Sequence, residues 1–176
     1  GRNMFIYQRL LRRLIFISMV VFAIVSFYSM SVMADGGSVS TDLGPTELTV
    51  YKSPSCKCCS KWIRHVKKNG FEVNALNDRN LSALKISRGI QKPYQSCHTA
   101  ISKDGYVFEG HVPSKFIKKF LREKPKGSIG LSVPAMPVGT PGMEYRNKFT
   151  AYKVLLLKSD GSSETYVSVN SQEEQY

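Results

Sequence analysis

The chain has 176 residues, 42% of them apolar, with 25 Lys plus Arg against 13 Asp plus Glu, and four Cys. That is enough apolar material for one ordinary domain with a core, and it excludes a disordered tail. A net charge of +12 invites a nucleic-acid or membrane partner, but Arg2, Arg9, Arg12 and Arg13 belong to a segment patterned like an export signal.

Residues 1–34 hold those arginines and no acid, then an apolar run from Leu14 to Val25, then Ser26 to Ala34 ending in Val32-Met33-Ala34, with Met4 as the candidate start. A basic region, an apolar region and a small-residue end make a secretory signal peptide, and cleavage after Ala34 is expected. The alternative is an uncleaved N-terminal anchor, since Leu14 to Met33 approaches the roughly 20 residues that cross a bilayer. Serines at 18, 26, 29 and 31 weaken that alternative. Either way the domain is expected outside the cytoplasm, with the membrane a partner only if the leader is retained. Without those four arginines the charge falls from +12 to +8.

A polar linker spans 35–45, the domain is expected over 46–170, and 171–176 is a polar tail. Glu47 to Tyr51 alternates and predicts a strand. Ser53-Pro54-Ser55 breaks it, and Ser53 or Ser55 is the expected cap of a helix to about Lys68, where Cys59, Trp62, Ile63 and Val66 recur at helical spacing. Asn69-Gly70 ends that helix in a left-handed cap. Phe71 to Leu76 predicts a second strand and Asn80 to Ile90 a second helix. Pro93 opens a new segment, in which His98–Ser102 and Tyr106–Glu109 flank Asp104-Gly105 as a hairpin.

Val112-Pro113-Ser114 begins a helix with Phe116, Ile117, Phe120 and Leu121 on one stripe and Lys115, Lys118, Lys119 and Arg122 opposite. That basic face reads as an ordinary solvated face, and no base-reading aromatic motif accompanies it, so no nucleic-acid partner is expected. Lys126 to Lys148, rich in Gly and Pro and carrying Met136 and Met143, predicts a long loop of the kind that serves a site. Thr150–Leu157 and Thr165–Val169 predict a terminal hairpin through Asp160-Gly161. The order β-α-β-α-β-β-α, an α/β class with a cysteine cluster where the first strand meets the first helix, is that of thioredoxin-like domains.

Export places Cys56, Cys58, Cys59 and Cys97 where disulfides form. Three of them fall within four residues, so a bridge among them closes a tiny loop and removes little chain entropy. The cluster reads as chemical before structural. A helix N-terminus lowers a thiol pKa, making the sulfur both nucleophile and ligand. Cys56 and Cys59 alone satisfy a redox C-x-x-C, which leaves Cys58, Cys97 and His98 as surplus ligands. His65 reads as a solvated helical residue. His111 stands evenly between ligand and capping residue. Met136 and Met143, in a Gly/Pro loop without a helical stripe, are poorly explained as core. Thiolate, thioether and imidazole together favour copper as Cu(I), with zinc the weaker alternative.

Tyr51-Lys52-Ser53-Pro54-Ser55-Cys56-Lys57-Cys58-Cys59, Ser96-Cys97-His98-Thr99-Ala100, Glu109-Gly110-His111-Val112-Pro113 and Val133 to Glu144 resemble, in order, the CopG-like family of periplasmic metal-binding proteins linked to copper resistance. The resemblance covers roughly Tyr51 to Tyr152. It implies a thioredoxin-like domain that binds several Cu(I) ions and allows coupling of copper to electron transfer. It points to Cys56, Cys58, Cys59, Cys97, His98, His111, Met136 and Met143. A periplasmic copper-handling or electron-transfer protein is the expected partner. His98 stands where thioredoxins carry a cis-proline, which argues against a general disulfide exchanger. The competing readings are a thiol-disulfide oxidoreductase using Cys56 and Cys59, with Cys58 and Cys97 a second pair, and a structural set of two disulfides or a zinc knot.

Overall fold

A computed structural model describes residues 46–176, so the leader, 1–34, and linker, 35–45, lie outside the described residues. Seven strands and three α-helices follow in the order β1 (Thr46–Lys52), α1 (Lys57–Lys68), β2 (Phe71–Asn77), α2 (Leu81–Ser87), β3 (His98–Ser102), β4 (Val107–Gly110), α3 (Ser114–Glu123), β5 (Ser128–Val133), β6 (Tyr152–Lys158) and β7 (Ser163–Val169). They form one mixed sheet in the order β2-β1-β3-β4-β5-β6-β7. β1 pairs parallel with β2 and β4 with β5, and the other neighbours run antiparallel. Among the described residues no helix is long and apolar enough to cross a membrane.

The two-residue period of the strands sorts the core onto two faces. Leu48, Val50, Ala100, Phe108, Leu131, Val154 and Leu156 face α1 and α3, which contribute Trp62, Ile63, Val66, Phe116, Ile117 and Phe120. The opposite parity, Ile101, Val107 and Leu157, packs with Ile90 in a smaller cluster beside Tyr51, Leu84, Tyr94 and Ile129. Each large side chain so buried contributes about 1.5–3 kcal/mol. Asn69-Gly70 ends α1 as expected, with Gly70 at φ +85.

Three expectations need correction. α1 is capped by Cys56, whose sulfur accepts the Cys59 N–H at 3.3 Å, and not by Ser53 or Ser55. α2 is confined to Leu81–Ser87. The loop expected over 126–148 contains β5. Gly130 reads as a loop residue in the sequence, but it lies where β5 passes so close to the Val107 backbone that a Cβ has no room. The register shifts between Ser128 and Gly130, which puts Ile129 and Leu131 on opposite faces although they are two residues apart. The polar tail folds back: Glu173–Gln175 is a 3-10 turn, and the buried Gln175 amide donates to Gly139 O at 2.6 Å and accepts from Tyr152 Oη at 2.7 Å.

Candidate metal centre

The site forms at the N-terminal end of α1, where the helix leaves its first backbone N–H groups unpaired. Its first turn holds no acid, and the Cys56 sulfur sits at the positive end of the helix dipole. Cys56 and Cys59 are joined in a disulfide with Cα atoms 5.4 Å apart, while Cys58 and Cys97 are free thiols. There is one bridge among the four cysteines and no Cys58–Cys97 bond. Cys59 is fully buried and the other three are half-buried. Cys58 Sγ lies 3.5 Å from Cys56 Sγ, and all four sulfurs lie within 4.8 Å of one another.

Cys97 belongs to a second set as well. Its sulfur is 3.3 Å from His98 Nδ1 and 3.2 Å from His111 Nε2, and the three ligand atoms again lie within 4.8 Å. His111 Nδ1 sits 2.7 Å from the Pro141 carbonyl, which can only accept, so Nδ1 carries the proton and Nε2 turns a lone pair toward Cys97. Burial lowers the pKa of both imidazoles, leaving them neutral as metal ligands require. His98 Nε2 is buried with no hydrogen-bond partner among the described residues. Burial, reinforced by Cys58, pushes the Cys97 thiol up to about 12, so it keeps its proton at neutral pH until a metal or base takes it.

Trp62 organises the surroundings. Its indole N–H donates to Val112 O at 2.9 Å, tying α1 to the turn that carries His111, and its ring lies against His98 with centroids 4.4 Å apart. The Gly/Pro loop reaches the cluster at Pro141-Gly142. A Cβ on Gly142, at φ +89, would meet Trp62 N at 2.7 Å and Cys58 O at 3.0 Å.

The structure therefore brings together Cys56, Cys58, Cys59, Cys97, His98 and His111. The methionines flank the part of the loop that touches them: Met143 is half-buried, and Met136 is 48% exposed beside Ala135 at φ +56. His65 is not the solvated residue expected. Its Nε2 accepts the Ser114 N–H at 3.1 Å and so caps α3.

Lys85 and Glu109 are not among the residues the sequence pattern points to. Both are buried and form an ion pair, with Thr99 Oγ1 donating to Glu109 Oε2 at 2.6 Å and Ser96 N–H to Oε1 at 2.6 Å. The available signal was a carboxylate inside the otherwise apolar strand Val107-Phe108-Glu109-Gly110.

Two solved structures resemble the chain. "Copper resistance protein copG- Form 2" is 38% identical with a TM-score of 0.68, over 72% of this chain and 99% of that one. "Copper resistance protein copG- Form 1" is 36% identical with a TM-score of 0.67, over 71% and 98%. A family model described as "Protein of unknown function, DUF411" matches residues 94–143, a span holding Cys97, His98, His111 and both loop methionines but not the Cys56–Cys59 turn. A search of curated proteins finds no match.

Proposed function

From a chain that belongs to the family of the CopG copper resistance proteins, we propose a periplasmic protein, exported by its leader, that binds several Cu(I) ions and couples them to electron transfer in copper resistance. Cys56, Cys58, Cys59 and Cys97 supply thiolates, His98 and His111 imidazole, and Met136 and Met143 thioether from the loop. The strand order β2-β1-β3-β4 with α1, α2 and α3 agrees with a thioredoxin-like core, to which β5, β6 and β7 are added.

The observation that carries this reading is the shared Cys97. A four-sulfur set and a thiolate with two imidazoles meet at one atom, offering more soft donors than a single ion uses. Full use of the sulfurs needs two electrons and two protons to open the Cys56–Cys59 bond. The test is titration of anaerobically reduced protein with Cu(I) against a chromophoric chelator. More than one Cu(I) per chain is expected, fewer in Cys58→Ser, and no uptake refutes the reading.

The second reading, a thiol-disulfide oxidoreductase using Cys56 and Cys59, is favoured by one observation: their disulfide caps α1 with one sulfur half-buried and the other buried. It requires metal-free reduction of insulin that survives replacement of Met136 and Met143 by Leu.

A further inference from the structure

Among the described residues Glu109 and Lys85 hydrogen-bond to none of the sulfurs, yet they surround the segment that carries two of the site's donors. Glu109 on β4 lies opposite Thr99 on β3. Its Oε2 accepts the Thr99 hydroxyl at 2.6 Å, while its Oε1 accepts the Ser96 backbone N–H at 2.6 Å. One carboxylate thus holds both ends of Ser96–Thr99, and between those ends lie Cys97 and His98. Lys85 reaches in from α2, pairing with Glu109 Oε1 and donating to Thr99 Oγ1 at 3.0 Å. On the other side, Ser96 Oγ donates to Ala135 O, next to Met136.

We infer that the buried Lys85–Glu109 pair is a positioning device: it sets Cys97 and His98 against His111 and, through Ser96, fixes the turn that presents Met136. The inference rests on the metal reading of the site. Stability alone explains the pair poorly, because replacing a buried ion pair with packed apolar residues is often neutral or stabilising. Geometry explains it better. Glu109 is fully buried and has donors on both oxygens, two of them from the short segment that must stay in register with His111. Hydrogen bonds to a charged acceptor are short and directional, so a fixed carboxylate defines the position of that segment more closely than apolar packing does.

The test reads Cys97 before any metal is added. With the Cys56–Cys59 disulfide intact, Cys58 and Cys97 are the free thiols, and peptide mass spectrometry follows iodoacetamide alkylation of each. In Glu109→Gln the Cys97 rate is expected to rise about tenfold relative to Cys58, the scale set by losing one charge-assisted hydrogen bond. The reduced variant should also take up fewer Cu(I) per chain. Thr99→Val should move the ratio the same way, and Thr99→Ser, which keeps the hydroxyl, should not.

If Glu109→Gln does not fold, the double variant Lys85→Met with Glu109→Gln, which leaves no unpaired buried charge, is read by the same ratio. An unchanged ratio in a folded variant overturns the inference, and so does equal acceleration of both thiols, which is general loosening. Failure of wild-type protein to bind Cu(I) removes the metal reading but leaves the alkylation result standing, so the two failures are distinguishable.

Discussion

Gly142→Ala tests whether the loop is seated on the candidate metal centre as described. At φ +89 any L side chain is strained, at a cost of about 1–2 kcal/mol. The new Cβ would also meet the backbone of α1, at 2.7 Å from Trp62 N and 3.0 Å from Cys58 O, and neither can move without disturbing the helix. Overpacking of this kind costs about 1–3 kcal/mol. Displacing the neighbouring Pro141 removes the His111 Nδ1 bond, worth about 1 kcal/mol. The sum is about 3–6 kcal/mol. Gly105→Ala is the control, since Gly105 has nearly the same φ, +87, but nothing within 4 Å of its Cβ. It should cost only the strain, about 1–2 kcal/mol. Equilibrium urea unfolding with the disulfide intact measures both. If Gly142→Ala is no more destabilising than Gly105→Ala, the loop does not pack on α1 and the account of the loop's contact with the site is wrong.

Thiol counting should give two reactive thiols in the protein as isolated, Cys58 and Cys97, and four after full reduction; because the bridged residues are only three apart, reduction should destabilise the fold by no more than about 2 kcal/mol. Four thiols before reduction would remove the bridge from the resting state. The second expectation concerns pH. Burial lowers the His65 pKa from 6.5 to about 4, against an opposing pull from Glu144. The unfolded chain therefore binds more protons between those values, and the His65 contribution, complete above pH 6.5, is lost as pH falls toward 4. The gap is worth about 3 kcal/mol in full, and solvent at the half-buried ring reduces it to about 1–2 kcal/mol. His65→Gln, which keeps an acceptor for Ser114, should flatten the unfolding free energy over that range relative to wild type. An unaltered slope would mean that His65 is not held neutral.

Elements with strong local signals were legible in the sequence. The alternation in β1 and β2, the stripe Cys59, Trp62, Ile63 and Val66, and the Asp104-Gly105 turn are each decided by neighbours in the chain. β5 was hidden because glycine speaks for a turn in the sequence, whereas Gly130 answers to the backbone of Val107 on the adjacent strand. The role of His65 is hidden for the same reason: its partner, Ser114 N–H, is 49 residues away. Cysteine as a helix cap escaped notice because capping is ordinarily done by oxygen. Within the site, the gathering of the four cysteines with His98 and His111 follows from their places at the ends of β3 and β4 and the start of α1. The Lys85–Glu109 pair depends on a long-range meeting of two buried charges that no local pattern announces.

Trp62 is the chain's single tryptophan, and its ring centroid lies 4.4 Å from that of His98. The tryptophan emission of the protein therefore comes from one indole placed against a candidate ligand. A metal ion or proton arriving at His98 alters the immediate surroundings of that fluorophore, with no second tryptophan to dilute the signal. Occupancy of the centre thus has a built-in optical reporter, so filling and emptying can be followed in real time on unlabelled protein.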